Sequence, residues 1–259
     1  MEDGMTPLSV IVIALNEERN IAECLEGVRW VDEIILVDSG SKDATVKLAG
    51  QFGAKVFVQP WESFAEAKTF AVSKSRNNWI LWLDADERVP RELAVEIQEL
   101  LKEPALKAAY SVARRAYFLG RWMRHSGWYP GRVARLFDKN LAKFSSDAVH
   151  EGLKVRGEVG ELRNDLLHFT DPNLYHYVQK FNRYTSLAGE ESFKARKRFR
   201  LLDVLLRPPW LFFKMYFLRL GFLDGVQGLI LALLSSAYVF TKYAKLWEAW
   251  TGAPSSNHS

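Results

Sequence analysis

Two carboxylates one residue apart close an apolar run, Trp79-Ile-Leu-Trp-Leu-Asp84-Ala85-Asp86-Glu87. A D-x-D pair suits a hard divalent cation, which takes carboxylate oxygen and keeps coordination positions for phosphate oxygens. Its place directly after an apolar strand carries more weight than the short motif, because parallel α/β sheets bind ligands beyond the carboxyl ends of their strands. The plainer alternative is a solvated acidic loop in front of a helix at Pro90. A second apolar run ends the same way, in Val37-Asp38-Ser39-Gly40-Ser41-Lys42-Asp43. Asp38 there either accepts hydrogen bonds from ribose hydroxyls or a uracil N–H, or merely ends a strand. Gly40 lets the chain turn, and Ser41 or Asp43 can cap the next helix. The first run ends in Ala14-Leu15-Asn16-Glu17, where Asn16 is a ligand-edge residue or simply a helix N-cap. Three polar strand ends on one sheet edge argue for a shared site.

The elements that must position these groups are legible from periodicity. Nearly continuous apolar runs rich in β-branched residues predict strands over 8–14, 33–37, 55–58 and 79–83. Helical spacing predicts helices over 17–29, 44–52, 64–75 and 90–101, the last starting on Pro90. Strands buried on both faces and joined by helices make an α/β layer with a mostly parallel sheet. Residues 108–169 read as short strands and Gly- and Pro-containing loops, and 172–250 read as helical.

With 259 residues, 48% apolar and 25% charged, the chain can bury a large core and fits neither disorder nor a polytopic membrane protein. The single cysteine, Cys24, excludes an intrachain disulfide framework and a Cys-cluster metal site. The start MEDGMTPLSVIVIA lacks a basic n-region and reads as a strand, not as a signal peptide. The net charge of +4 is local: eight Lys or Arg against Glu191 and Asp203 fall within 191–219. A uniformly basic nucleic-acid binder would not look like this, and no nucleic-acid partner is expected.

The segments VIVIALNEERNI, IILVDSGSKDAT and WILWLDADERV resemble the family 2 glycosyltransferases, with their GT-A nucleotide-sugar-binding fold. AKTFAVSKSRNNW, WYPGRVARLFD, AVHEGL, LLHFT, NRYTSLA and GFLDGVQG extend the likeness to the lipopolysaccharide core β-1,4-glucosyltransferase subgroup, over about residues 9–247. The resemblance implies that Leu15, Asn16, Glu17 and Asp38 contact the nucleoside and that Asp84-Ala85-Asp86 is the D-x-D motif. Asp86 would hold Mg2+ or Mn2+ against the UDP-sugar diphosphate, with Asp84 supporting the ribose. Lys68 would approach base or phosphates, or be a solvated helix lysine. Glu151 matches the family's catalytic carboxylate, with Asp147 its nearest rival. His168 is a late metal ligand or a hydrogen-bonded core residue. Arg132 and Arg135 are candidates for phosphate or acidic-acceptor recognition, one of them expected only to pack or pair.

The segment KARKRFRLLDVLLRPPWLFFKMYFLRLGFL suits an interfacial position, with cations meeting an anionic membrane surface and aromatic rings at the polar–apolar boundary. The uncharged run 225–241 reaches only the lower limit for spanning. Amphipathic helices packed on the catalytic domain, or across an oligomer, are the alternative. The expected organisation is a catalytic GT-A domain over 6–171, a helical extension over 172–250 and a disordered tail over 251–259. The expected activity is inverting, metal-dependent transfer of a hexose, glucose from UDP-glucose, to a lipopolysaccharide inner-core heptose as the lipid-linked saccharide acceptor, at the cytoplasmic face of the bacterial inner membrane. Hexose transfer to polyprenyl phosphate and a non-catalytic membrane adaptor are the alternatives.

Overall fold

The computed structural model describes residues 5–60, 63–145 and 152–252. The alternating pattern folds as β1 (Leu8–Ala14), α1 (Ile21–Glu26), β2 (Glu33–Asp38), α2 (Thr45–Gln51), β3 (Lys55–Val58), α3 (Phe64–Lys74) and β4 (Trp79–Asp84). These four strands are parallel, in spatial order β3-β2-β1-β4. The apolar runs of β1, β2 and β4 are buried on both faces because alternate residues serve different cores, whereas the edge strand β3 is partly exposed. Val10, Val12 and Leu36 join Ile21, Leu25 and Ile97 on one side, and Ile11, Ile35 and Val37 join Ala67 and Ala71 on the other. Each fully buried aliphatic side chain is worth about 1.5–3 kcal/mol.

After β5 (Glu87–Arg88) and α4 (Arg91–Leu100) come β6 (Ala109–Phe118), β7 (Arg121–Trp122), β8 (Arg132–Asp138), β9 (Ala142–Phe144), β10 (Leu153–Val155), β11 (Val159–Glu161) and β12 (Leu166–Asp171). β8 pairs antiparallel with β4, β6 follows it, and β12 pairs antiparallel with β5. The result is a mixed sheet around a parallel core, the α/β class expected from the sequence.

One helix is shorter than its pattern. The stretch predicted as 17–29 is helical only over Ile21–Glu26. Asn16 takes a left-handed φ of 56°, and the Glu17 and Glu18 amides donate to Thr45 Oγ1 and Asp43 Oδ2. A tertiary contact with the β2–α2 loop thus takes the N–H groups that would open the helix. Asn16 is not an N-cap: its Oδ1 accepts from Lys42 N at 2.8 Å.

The chain forms two compact units. The first comprises residues up to Arg115 with Gly131–His168, and the second comprises Ala116–Pro130 with the chain from Phe169 onward. Within the stretch 6–171 expected as the catalytic domain, residues 116–130 pack with the helices. Phe118 and Met123 share a core with Met215, Leu231 and Ala232. Buried Asp224 fixes the same segment by accepting from Arg124 N and His125 N and pairing with the His125 ring at 2.9 Å.

The helices of this unit are α5 (Leu174–Lys194), α6 (Leu201–Phe213) and α7 (Gly225–Thr251), with a π turn over Lys214–Leu218 and a 3-10 turn over Gly221–Asp224. GFLDGVQG is a packing motif: a Cβ on Gly228 would lie 1.9 Å from the Gly221 carbonyl oxygen. Gly221–Thr251 is long and apolar enough to cross a membrane by length and composition. Thr251 and Gly252 close α7, and the rest of the expected tail lies outside the described residues.

Candidate active site

Register places the predicted strand ends together. Ala14 is opposite Asp38 and Ile13 opposite Asp84, while Asp38 pairs with Val58. Both acids therefore stand at the carboxyl edge of the sheet. β2 leaves β1 on one side and β4 lies on the other, so the β1/β4 seam is the topological switch point where such sheets bind ligands.

Asp38 is 1% exposed. Its Oδ2 accepts from Gly40 N and Ser41 N at 2.9 and 2.8 Å, and Ser41 Oγ donates to Oδ1. Gly40 has a φ of 100°, a value open to glycine at little cost. Asn16 N donates to Ser41 Oγ, so the loops after β1 and β2 are laced into one floor. Leu15 and Asn16 are exposed on that floor, and Glu17 is partly buried and accepts from Asn20 Nδ2.

The D-x-D segment rests on a buried ion network. Arg135 Nη2 donates to Asp84 Oδ2 at 2.7 Å and also to Glu87 Oε1. Arg135 is 1% exposed and Glu87 fully buried. Burial alone would raise the Asp84 carboxyl, but Arg135 and then Lys68 outweigh it and hold it below the ordinary aspartate range. Burial pushes Glu87 the other way, above the ordinary glutamate range, against the pull of Arg135. Glu87 Oε2 also accepts from Asp84 N at 3.0 Å, which closes the turn around buried Ala85. Trp82 precedes Asp84 by two residues and shares its face of β4. The Arg135 guanidinium lies 3.3 Å and the Lys68 ammonium 4.2 Å from its ring centre, a cation–π arrangement on one indole. Lys68 thus reaches the D-x-D end instead of being a solvated helix lysine.

Asp86 and His168 come together through strand pairing. β12 sets His168 opposite Glu87, and His168 Nε2 lies 3.4 Å from Asp86 Oδ2. Adjacent donors of an octahedral Mg2+ at about 2.1 Å lie about 3 Å apart, so this oxygen–nitrogen pair fits one cation. No group of three His, Cys, Asp or Glu side chains suited to a metal occurs among the described residues. The remaining positions would fall to phosphate and water oxygens, as is usual for Mg2+. Asp86→Asn should weaken metal-supported binding of a nucleoside diphosphate at least about tenfold, from loss of an anionic ligand. Calorimetry with and without Mn2+ checks this, and unchanged affinity removes Asp86 from the metal site.

Arg132 and Arg135 part company. Arg132 bonds the carbonyls of Ser111 and Leu162 and pairs with exposed Glu161. His150, Glu151 and Asp147 lie outside the described residues. The sequence reading missed Glu87 and Trp82 as working parts of the site. Their available signals were a third acid beside the D-x-D pair and an aromatic residue two positions before it.

The family model described as "Glycosyl transferase family 2" matches residues 9–218. A lipopolysaccharide core biosynthesis glycosyltransferase of Rhizobium meliloti is 31% identical over 249 residues, which is 93% of this chain and 92% of that protein. A glycosyltransferase of Rickettsia felis is 31% identical over 95% of this chain and 91% of its own length. Among solved structures, glucosyl-3-phosphoglycerate synthase from Mycobacterium tuberculosis, in complex with Mn2+, UDP and glucosyl-3-phosphoglycerate, is 27% identical. That likeness covers 44% of this chain and 45% of that one, at a TM-score of 0.36. TarS of S. aureus is 12% identical over 95% of this chain and 92% of that one, at a TM-score of 0.44.

Proposed function

The chain belongs to glycosyl transferase family 2, and from that premise we propose that it is a metal-dependent, inverting enzyme that moves glucose from UDP-glucose onto a lipopolysaccharide inner-core heptose. The observation that carries the donor side is the alignment of Asp38 and Asp84 at the β1/β4 edge, with His168 against Asp86. The acceptor class is taken from the lipopolysaccharide core relative, which is similar over nearly its whole length.

The laced floor of Asp38, Gly40 and Ser41 seats the nucleoside, beside Leu15, Asn16 and Glu17. Asp84, turned by Arg135, faces the ribose, and Lys68 adds positive charge beside the diphosphate. Asp86 and His168 hold Mg2+ or Mn2+, whose chemistry is charge stabilisation of the departing diphosphate. Glu151 takes the proton of the acceptor hydroxyl as that oxygen attacks the anomeric carbon, so the configuration inverts and no enzyme nucleophile is needed. Arg135 is a positioning residue, because its charge is spent on Asp84 and Glu87.

The protein works as a peripheral or monotopic enzyme at the cytoplasmic membrane face. Leu202, Leu206, Trp210, Phe213 and Phe217 form an exposed apolar stripe along α6 and its π turn. Arg198 and Arg200 flank its start. That stripe also suits polyprenyl phosphate as acceptor, and extraction of the labelled product separates lipid phosphate from core oligosaccharide.

The first test is calorimetric titration with UDP-glucose, UDP-galactose, UDP-N-acetylglucosamine and GDP-mannose, with and without Mn2+. Metal-dependent preference for UDP-glucose is expected. Preference for another donor rejects the glucosyl assignment, and folded protein that binds none of them rejects catalysis.

A further inference from the structure

The second unit contains a cavity of about 310 Å³ that lies wholly within it. Ser126, Trp128, Tyr177, Lys214, Arg219 and Ser235 line it. Among the described residues, no carboxylate pairs with Lys214 or Arg219. The acid anchoring the 121–130 loop, Asp224, is occupied by His125 and two backbone amides.

The local backbone brings the two cations together. Lys214 opens the π turn and Arg219 follows it, joined by the bond Arg219 N to Lys214 O at 2.8 Å. In an α-helix, residues five apart point about 140° away from each other, whereas the π turn's i→i+5 bond draws the two positions closer in angle, and both side chains line the cavity. π turns of this kind occur often at functional sites. Gly127 makes room for the second cation, since a Cβ there would lie 1.8 Å from Arg219 Nη1.

Ser126 is 2% exposed, and its Oγ has no hydrogen-bond partner among the described residues. A buried hydroxyl left unsatisfied costs about 1–3 kcal/mol, so a ligand oxygen beside it has something to satisfy. Burial pushes the Tyr177 phenol up to about 12, which keeps it a neutral donor. Two cations, hydroxyl donors and no carboxylate make a receptor for a phosphate ester.

We propose that this cavity binds the headgroup phosphate of a membrane phospholipid, anchoring the helical unit at a defined site on the bilayer. The lipid source follows from continuity: the exposed stripe from Leu202 to Phe217 runs along the same helix and π turn that carry Lys214. Acyl chains would lie along apolar side chains while the phosphate meets the cations. This rests on the membrane reading above and is independent of the donor chemistry.

The test is binding of the full chain to phosphatidylcholine vesicles carrying either phosphatidic acid or enough oleate to match its surface charge. Wild-type protein should prefer phosphatidic acid by about tenfold, as two cation contacts allow. Lys214→Gln with Arg219→Gln should abolish that preference. Arg200→Gln with Arg207→Gln removes equal charge from outside the cavity, and should weaken both kinds of binding while keeping the preference. Ser126→Ala, a small change that guards against misfolding, should reduce the preference about threefold, the worth of one hydrogen bond.

No preference in wild type, or equal effects of the two double variants, would overturn the site. Wild-type protein that binds neither vesicle would overturn the membrane reading itself, with donor titration unaffected. Displacement from phosphatidic acid vesicles by millimolar glycerol 3-phosphate would overturn the lipid source in favour of a soluble phosphate ester.

Discussion

Arg135→Ala should lower the unfolding free energy by about 3–5 kcal/mol, the usual cost of breaking a buried ion pair from one side. The magnitude follows from what is left behind. Glu87 is fully buried, and Arg135 is its charged hydrogen-bond partner. Asp84 loses the same guanidinium, and the Trp82 ring loses the plane stacked 3.3 Å from its centre. Arg135→Lys should recover only part of the loss, because an ammonium stacks poorly on indole. Combining Arg135→Met with Glu87→Gln should be less damaging than Arg135→Met alone, since a neutral amide leaves no buried charge without a partner.

The loss also carries a pH signature. Burial already holds the Glu87 carboxyl above its ordinary range, and removing Arg135 raises it further. An acid whose folded-state pKa is raised favours the folded state below its unfolded value and loses that contribution as pH rises. The deficit of Arg135→Ala should therefore be smallest near the ordinary glutamate pKa of about 4.3 and grow toward neutrality. Urea unfolding at several pH values measures it. A flat deficit would mean that packing against Trp82, not charge, is what Arg135 supplies.

The parallel core was legible because strands buried on both faces must be apolar at nearly every position. LSVIVIA and EIILVD satisfy that without any knowledge of their partners. Asp38 and Asp84 were legible for the same reason, as the first polar residues after the apolar runs IILV and WILWL. What joins distant segments was not legible. Arg135 meets Asp84 only because β8 pairs antiparallel with β4, and His168 meets Asp86 only because β12 pairs with β5. Neither pairing leaves a periodic trace. The shortened α1 has the same origin, since its first amides go to Thr45 and Asp43. The 116–130 segment looks like ordinary loop and strand until buried Asp224, about a hundred residues later, takes its amides. Local physics specified the strands and their ends, whereas tertiary pairing selected which charges meet.

Glu151→Gln should leave donor affinity within about twofold of wild type and lower turnover by about 10²–10⁴, the range for loss of a general base. At about 1.4 kcal/mol per tenfold, that is a barrier higher by about 3–5 kcal/mol. Glu151 lies outside the described residues, but the flanks of its segment are fixed beside the site. Phe144 of β9 pairs with Leu153 of β10, and Ser145 N donates to Gly152 O at 2.9 Å. The Phe144 ring meets Trp82 edge to face at 5.6 Å, and the Lys68 ammonium lies 5.8 Å from its centre. The described residues on either side of 146–151 therefore lie beside Trp82, two residues before Asp84. Asp147→Asn is the matched control, as a neighbouring carboxylate on the same segment. Steady-state turnover at saturating donor, paired with calorimetric donor affinity, separates chemistry from binding. Near-normal turnover in Glu151→Gln with collapse in Asp147→Asn would move the base role to Asp147. Collapse of donor binding in Glu151→Gln would instead make Glu151 part of the donor site.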